Sequence, residues 1–160
     1  MEPAVHPNAA RVAQAAEQLG LTIELRVFPE GTRTAEEAAR AVGVAVGQIV
    51  KSLVFTLDGA VVMALVSGRN RLDEARLARA LGGASVGRAD ADGVRAATGF
   101  AIGGVPPFGH PAPLPTAIDE DLLTYDEVWA AAGTPRDVFA LAPADLVRLT
   151  GGTVTALRAG

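Results

Sequence analysis

The chain has 160 residues, of which 49% are apolar and 20% are charged. That mixture excludes a disordered chain, and the length suits a single domain spanning residues 1–160. The formal net charge of −4 argues against a protein whose entire surface binds nucleic acid, although it leaves room for a local basic patch. Because the chain contains no cysteine, disulfides, zinc ribbons, iron–sulfur clusters and thiol nucleophiles are excluded.

The sequence carries no pattern of a membrane or secreted protein. No apolar run approaches the roughly 20 residues that a membrane-spanning helix needs. The first residues, from Met1 to His6, lack the charged and apolar regions of a signal peptide. We therefore expect a cytoplasmic protein that makes no membrane contact.

In chain order, the apolar spacing first predicts a helix from about Asn8 to Leu19, and then a half-buried strand from Leu21 to Phe28. Thr34 and Glu37 form a capping box at the start of a helix that ends near Gly43. The later predicted elements are strands at 48–57 and 60–66 joined by an Asp58-Gly59 turn, helices at 73–81 and 90–98, short strands at 100–102 and 116–118, a helix at 143–149 and a strand at 153–157.

Residues 127–133 fit either a helix or one strand of a hairpin with residues 138–141, and the Gly133-Thr134-Pro135 turn favours the hairpin. Strands and helices therefore interleave irregularly, with two hairpins among them. This order predicts an α+β domain with a mixed, curved, barrel-like sheet and surrounding helices, rather than a doubly wound parallel sheet.

Lys51 is the only lysine among the 14 basic residues, and it lies within the apolar strand at 48–57. Since arginine is the cation everywhere else, this position indicates a need for a compact ammonium rather than a planar guanidinium. The side chain either reaches water from the strand, or lines a cleft and holds a substrate oxygen or phosphate. The uniqueness of the lysine favours the second interpretation.

The segment from Gly103 to His110 reads Gly-Gly-Val-Pro-Pro-Phe-Gly-His and matches neither a dinucleotide-binding loop nor a P-loop. Its glycines permit close approach of a ligand to the main chain, and its prolines restrict the remaining dihedral angles. A rigid crossover loop explains the pattern as well as a ligand-binding loop does.

Other candidate groups form no recognisable site. His6 and His110 are too few for a histidine-rich metal site. Asp119 and Glu120 are adjacent, so on a strand their side chains point opposite ways and cannot act as an acid–base pair. Four arginines between residues 69 and 79 fit either a solvated helix face or a modest phosphate-contacting patch.

Taken in order, several segments of the chain resemble the YbaK/EbsC family, which is related to the editing domain inserted in bacterial prolyl-tRNA synthetases. They are Thr34-Ala35-Glu36-Glu37-Ala38-Ala39, the segment from Gln48 to Phe55 with its Ile-Val-Lys-Ser-Leu core, the segment from Thr98 to Gly109, and Ile118-Asp119-Glu120. The resemblance extends from about residue 9 to residue 157, and the second and third segments are specific in combination.

The resemblance implies a deacylase that acts in trans on aminoacyl-tRNA and hydrolyses the ester of a small amino acid, such as Ala or Cys, on tRNA-Pro or a related tRNA. It implies catalytic roles for Lys51 and for the main chain of Gly103, Gly104 and Val105. The residues expected to bind substrate are Phe28, Thr32, Pro106, Pro107, Gly109, His110 and Asp119. We expect no cofactor and no metal, and an aminoacyl-tRNA synthetase is a candidate second partner.

One position departs from the family pattern. Several branches have serine where this chain has Pro106, so any contribution of the loop to the reaction must come from its main chain. Main-chain N–H groups directed at the developing oxyanion suit this role, because the ester of a ribose hydroxyl is already activated. Apolar residues such as Phe28, Val54 and Ile102 are candidates for a pocket that selects small amino acids.

Two functions of other classes also fit the residues. A non-catalytic tRNA- or nucleotide-binding module would need a sharply localised basic face on this acidic chain. A Schiff-base enzyme would use Lys51 as the nucleophile, which requires a lowered pKa of its ammonium. No second cation lies near Lys51 in the sequence.

Overall fold

The computed structural model describes residues 5–28 and 34–160. In that part of the chain the helices are α1 (Pro7–Gln18), α2 (Ala35–Val42), α3 (Glu74–Ala80), α4 (Ala91–Thr98) and α5 (Pro143–Thr150). The strands are β1 (Leu25–Val27), β2 (Val50–Leu57), β3 (Ala60–Ser67), β4 (Val86–Arg88), β5 (Thr116–Asp119), β6 (Val128–Thr134), β7 (Asp137–Leu141) and β8 (Thr153–Thr155). Short 3₁₀ helices occupy Val46–Gln48 and Glu120–Thr124.

The helix ends follow the side chains that satisfy their free main-chain groups. At the start of α2 the Thr34 hydroxyl accepts a hydrogen bond from the Glu37 N–H at 3.1 Å, as the capping box predicts. Asp73 and Asp90 cap α3 and α4 in the same way. Gly43 ends α2 with a φ of 78°, a left-handed conformation that glycine adopts without steric cost.

The strands form two sheets. β1, β7 and β6 form an antiparallel sheet in that order, and the larger mixed sheet has the order β4-β2-β3-β5-β8 with parallel pairs at β3–β5 and β5–β8. A parallel bridge between Ile49 and Trp129 brings the start of β2 to β6. The α+β class with a mixed sheet is thus confirmed, although the strands are divided between two sheets and the larger one does not close into a barrel.

The Asp58-Gly59 turn sets the register of β2 and β3. Asp58 has a φ of 51° and Gly59 a φ of 86°, the two positive values that a tight hairpin turn of this kind requires. The turn pairs Leu57 with Ala60, and the same register places Lys51 opposite Val66 near the other end of the hairpin.

Two apolar clusters hold the layers together. One cluster lies between the sheets and includes the buried side chains of Val12, Phe100, Phe108, Phe139 and Leu146. The other packs α3 on the opposite face of the larger sheet through Leu77 and Ala78. The loop that carries Gly103 to Pro107 is therefore anchored on both sides by buried phenylalanines.

Three details differ from the expectations. The first predicted strand is limited to β1. Residues 100–102 form a turn rather than a strand, because the Gly104 N–H donates to the Ala101 carbonyl at 3.0 Å. β4 was not predicted, since its three residues carry no alternating apolar pattern. Among the described residues, no helix is long and apolar enough to cross a membrane.

Candidate active site

A cavity of about 360 Å³ lies where the start of β2, α2 and the β6–β7 hairpin meet the loop after α4. Its lining includes Phe28, Thr34, Ala35, Ala38, Val42, Ile49, Val50, Lys51, Ser52, Leu53, Ile102, Gly103, Val105, Trp129, Ala130, Ala131, Thr134, Pro135 and Val138. The volume is within the range of small-molecule sites, about 300–1,000 Å³. The fold thus brings the only lysine and the glycine–proline loop to one cavity.

The Lys51 side chain is half-buried, and its ammonium donates a hydrogen bond to the Asn70 carbonyl at 2.5 Å. Burial lowers the pKa of Lys51, and the charges of Glu36 and Asp119 oppose that change. Arg71 lowers the pKa further, so the tertiary structure places a second cation near Lys51 that the sequence does not indicate. One donor of the ammonium is engaged, and the side chain still lines the cavity.

Asn70 is itself fixed by two carboxylates. Its side-chain amide donates to Asp119 and to Asp121, each at 2.8 Å. Asp119 is fully buried and also accepts from the N–H groups of Ser67 and Asp121 at 3.0 Å. Asp119 therefore holds the turn that holds Lys51, and it does not line the cavity. Its predicted contact with substrate stays a prediction.

The loop from Gly103 to Val105 contributes main chain to the cavity. The Gly104 N–H is engaged in the turn to Ala101, so it is not free to stabilise an oxyanion. Within residues 5–28 and 34–160, neither the Gly103 nor the Val105 N–H has an acceptor. Gly103 and Val105 both line the cavity, which leaves these two as the candidate donors.

Glycine is needed at position 104 for a different reason: the loop approaches the β6–β7 hairpin closely there. A Cβ atom at Gly104 would lie 2.8 Å from the Thr134 Cα and 2.9 Å from the Gly133 carbonyl oxygen. Both are main-chain atoms that cannot rotate away. Glycine at this position therefore allows the loop to pack closely against the cavity wall.

The residues that follow in the loop face a second cavity. Pro107, Gly109 and His110 line a space of about 270 Å³ between α1 and the end of α5. The buried Pro106 accepts a hydrogen bond through its carbonyl from the His110 Nε2–H at 2.8 Å. These four predicted substrate-binding residues therefore do not line the cavity that holds Lys51, and their roles stay predictions.

Aromatic side chains line the Lys51 cavity as well. Phe28 lines the cavity and its contact with substrate stays a prediction, whereas Thr32 lies outside the described residues. Trp129, the only tryptophan, also lines the cavity, and the Arg26 guanidinium lies over its ring at 5.1 Å from the centroid. Ile102 is 61% exposed in the lining, while Val54 does not contribute to it.

Comparison with known proteins agrees with this arrangement. A family model described as an aminoacyl-tRNA editing domain matches residues 29–149. The chain belongs to the aminoacyl-tRNA editing domain family. The resemblance read from the sequence is thereby confirmed, and the editing domain is an enzyme, a hydrolase that acts on the ester bond of aminoacyl-tRNA.

Individual relatives fall into free-standing proteins and parts of synthetases. EbsC of Enterococcus faecalis, described as a candidate Cys-tRNA(Pro)/Cys-tRNA(Cys) deacylase, is 32% identical over 78% of this chain and 77% of its own. The proline–tRNA ligase of Maridesulfovibrio salexigens is 34% identical over 69% of this chain, which spans only 19% of that ligase. A solved structure of a candidate trans-editing enzyme for prolyl-tRNA synthetase has a TM-score of 0.93 and 51% identity, covering 98% of this chain and 100% of the other.

Ser52 and Trp129 are two of the lining residues that reasoning from the sequence missed. Ser52 directly follows Lys51 in the Ile-Val-Lys-Ser-Leu segment, yet nothing in the sequence distinguishes it from a strand serine. Trp129 could have been noticed as the only tryptophan, placed in a strand of small residues. Both lie on strands whose position relative to the loop depends on how the two sheets pack.

The burial of His110 predicts a pH-dependent stability, because burial lowers the pKa of the imidazole more than the hydrogen bond to the Pro106 carbonyl raises it. Burial lowers the pKa of His110, so the folded protein binds this proton less readily than the unfolded chain does. The stabilisation is therefore complete above the usual histidine pKa, about 6.5, and is lost as the pH falls below it. We expect His110→Gln, which keeps an N–H donor but does not titrate, to lose less unfolding free energy than the parent protein between pH 7.5 and 5.5.

Urea denaturation of both proteins at each pH measures this difference. The comparison cancels the titration of groups that the two proteins share. Parallel stability curves over the whole pH interval would show that His110 does not contribute this dependence.

Proposed function

We propose that this chain is a trans-editing deacylase that removes a small amino acid, such as Ala or Cys, from a mischarged tRNA, with tRNA-Pro as the first candidate. The observation that carries the proposal is that Lys51, Gly103 and Val105 line one cavity. EbsC and the trans-editing structure match this chain over most of their own length, which supports action in trans. Work on charged tRNA would place the protein in the cytoplasm.

In the proposed reaction, a water molecule attacks the ester carbonyl carbon, and a neighbouring hydroxyl of the substrate would help to position that water. The carbonyl oxygen then carries negative charge, which the N–H groups of Gly103 and Val105 would stabilise. The bond to the ribose oxygen breaks, and that oxygen leaves with a proton. The products are the free amino acid and the tRNA. Lys51 would hold the terminal phosphate or a ribose oxygen and so fix the ester against the loop.

The apolar lining of the cavity supports selection among amino-acid side chains. Its walls include alanines of α2 and of β6, and larger apolar side chains such as Val42, Ile49 and Val138 also line it. A synthetase separates amino acids that differ by one methylene by only about 1–3 kcal/mol, so a second pocket that hydrolyses the wrong product raises accuracy. An apolar pocket is suited to that task.

The test is a panel of charged tRNAs followed by loss of the labelled amino acid. We expect hydrolysis at least tenfold above the uncatalysed rate for Ala- or Cys-tRNA(Pro), with Ser-charged tRNA as a third probe and Pro-tRNA(Pro) as the control that is spared. Binding of these tRNAs without hydrolysis would instead identify a binding module. A borohydride-trapped adduct with a carbonyl substrate would identify Schiff-base chemistry at Lys51.

A further inference from the structure

Ser52 carries a hydroxyl without a partner. Within residues 5–28 and 34–160, its Oγ is the one buried side-chain nitrogen or oxygen that forms no hydrogen bond. Leaving a buried hydroxyl unpaired destabilises a folded protein by about 1–3 kcal/mol. Such a group is retained where something other than the protein supplies the partner, and Ser52 lines the Lys51 cavity.

The other two hydroxyls among the described lining residues already form hydrogen bonds. Thr34 Oγ1 accepts from the Glu37 N–H as the cap of α2. Thr134 Oγ1 donates to Asp137 and accepts from the N–H groups of Arg136 and Asp137 in the β6–β7 turn. Of these three hydroxyls, only that of Ser52 forms no hydrogen bond to another described residue.

The main chain of Ser52 also faces away from the hairpin partner. The Gly68 N–H donates to the Ile49 carbonyl, so Ile49 and Gly68 form a hydrogen-bonded pair of the antiparallel ladder. Such pairs alternate along the strand with pairs that form no hydrogen bonds to each other. Ser52 belongs to a pair of the second kind, so its N–H and C=O point away from β3. On that side β4 pairs only with Phe55 to Leu57. Ser52 thus presents a hydroxyl and an open strand edge in the same region.

These groups complement a part of the substrate that Lys51 and the loop do not serve. The Lys51 ammonium and the two N–H groups of the loop are donors, which suit the carbonyl, ribose or phosphate oxygens. An aminoacyl ester also carries an α-ammonium group, which needs acceptors. Among the described lining residues none is an aspartate or a glutamate, so the acceptors that these residues offer are hydroxyl and main-chain oxygens.

Resting on the proposed function, we propose that Ser52 is a substrate-binding residue whose hydroxyl accepts a hydrogen bond from the α-ammonium group of the aminoacyl ester. The contact would orient the amino acid so that its carbonyl faces Gly103 and Val105. It would also favour aminoacyl esters over acyl esters that lack the amino group.

The test compares alanyl and propionyl esters of the same tRNA, which differ only in the α-amino group. We expect Ser52→Ala to lower kcat/KM for the alanyl ester about 10-fold to 100-fold, the range for a hydrogen bond to a charged group. The propionyl ester should change by no more than about twofold. Ser52→Thr keeps the hydroxyl and should retain the preference for the alanyl ester.

Thermal unfolding without substrate gives an independent readout. Ser52→Ala removes an unpaired buried hydroxyl, so we expect an unchanged or raised Tm. The matched control is Ser67→Ala, since the buried Ser67 hydroxyl donates to the Gly47 carbonyl at 2.7 Å. That variant should have a lower Tm and should not alter the ratio between the two esters.

Each outcome decides between the proposals. If the parent protein hydrolyses the alanyl ester but Ser52→Ala leaves the ratio of the two esters unchanged, the role of Ser52 is wrong and the deacylase function stands. A lowered Tm for Ser52→Ala with equal loss on both esters would also overturn it, because it would indicate a structural role. A parent protein that hydrolyses neither ester overturns both proposals.

Discussion

Lys51→Ala is expected to lower kcat/KM for deacylation at least 100-fold while leaving the fold intact. Loss of one group that holds a reacting centre by charge or hydrogen bond costs enzymes about 10²–10³ in rate. The fold should survive because burial opposes the charged ammonium, as its lowered pKa indicates, and the single hydrogen bond is made to a main-chain carbonyl. Steady-state hydrolysis of the tRNA identified by the panel measures the activity, and Tm measures the fold.

Lys51→Arg serves as the charge-preserving control and should not restore activity. The guanidinium is planar and wider than an ammonium, and it cannot take the same position 2.5 Å from the Asn70 carbonyl without displacing the turn. We expect it to stay at least tenfold below the parent protein. Hydrolysis by Lys51→Ala at the parental rate would remove this residue from the site altogether.

Gly104→Ala should weaken both stability and activity, through the packing of the loop against the hairpin. Gly104 does not have a positive φ, so an alanine is not strained there, and the effect comes from the contacts of the new Cβ with Thr134 and Gly133. Overpacking of this kind costs about 1–3 kcal/mol of unfolding free energy. The displaced loop should also lower kcat by more than tenfold, because small errors of position at a reacting centre are costly.

The matched control is Gly93→Ala in α4. The nearest atom to its Cβ outside the helix main chain is a side-chain oxygen of Asp90 at 3.1 Å, and alanine is favoured over glycine in a helix by about 1 kcal/mol. This variant should be as stable as the parent protein or slightly more so, with full activity. Urea denaturation and the deacylation assay measure both variants. If Gly104→Ala and Gly93→Ala had the same stability and the same activity, close packing of the loop against the hairpin would not be required.

The local structure of this chain follows closely from its sequence. The caps at Thr34, Asp73 and Asp90 satisfy main-chain groups within three residues, so the helix starts are local events. The Asp58-Gly59 turn fixes its hairpin for the same reason. Residues 100–102 show the limit, because their apolar character fits a strand, whereas a single hydrogen bond to Gly104 closes them into a turn.

The sequence predicted only part of the candidate site. Lys51 stands out by composition, and Gly103 to Val105 stand out by their glycine and proline neighbours. The same reasoning grouped His110 and Asp119 with them, although His110 faces another cavity and Asp119 is buried beneath the turn that holds Lys51. Neighbours in sequence share a loop, but the side of the loop that each residue faces depends on what packs against it.

By itself, the sequence determined the family, the α+β class, the helix caps, the β2–β3 hairpin and the importance of a solitary lysine, because these depend on residue types and short spacings. The tertiary structure decided which of those residues meet. The packing of two sheets across residues far apart in the chain places Ser52 and Trp129 in the Lys51 cavity, and it leaves the buried Ser52 hydroxyl without a partner among the described residues. Such contacts arise from long-range packing, and no local pattern of amino acids encodes them.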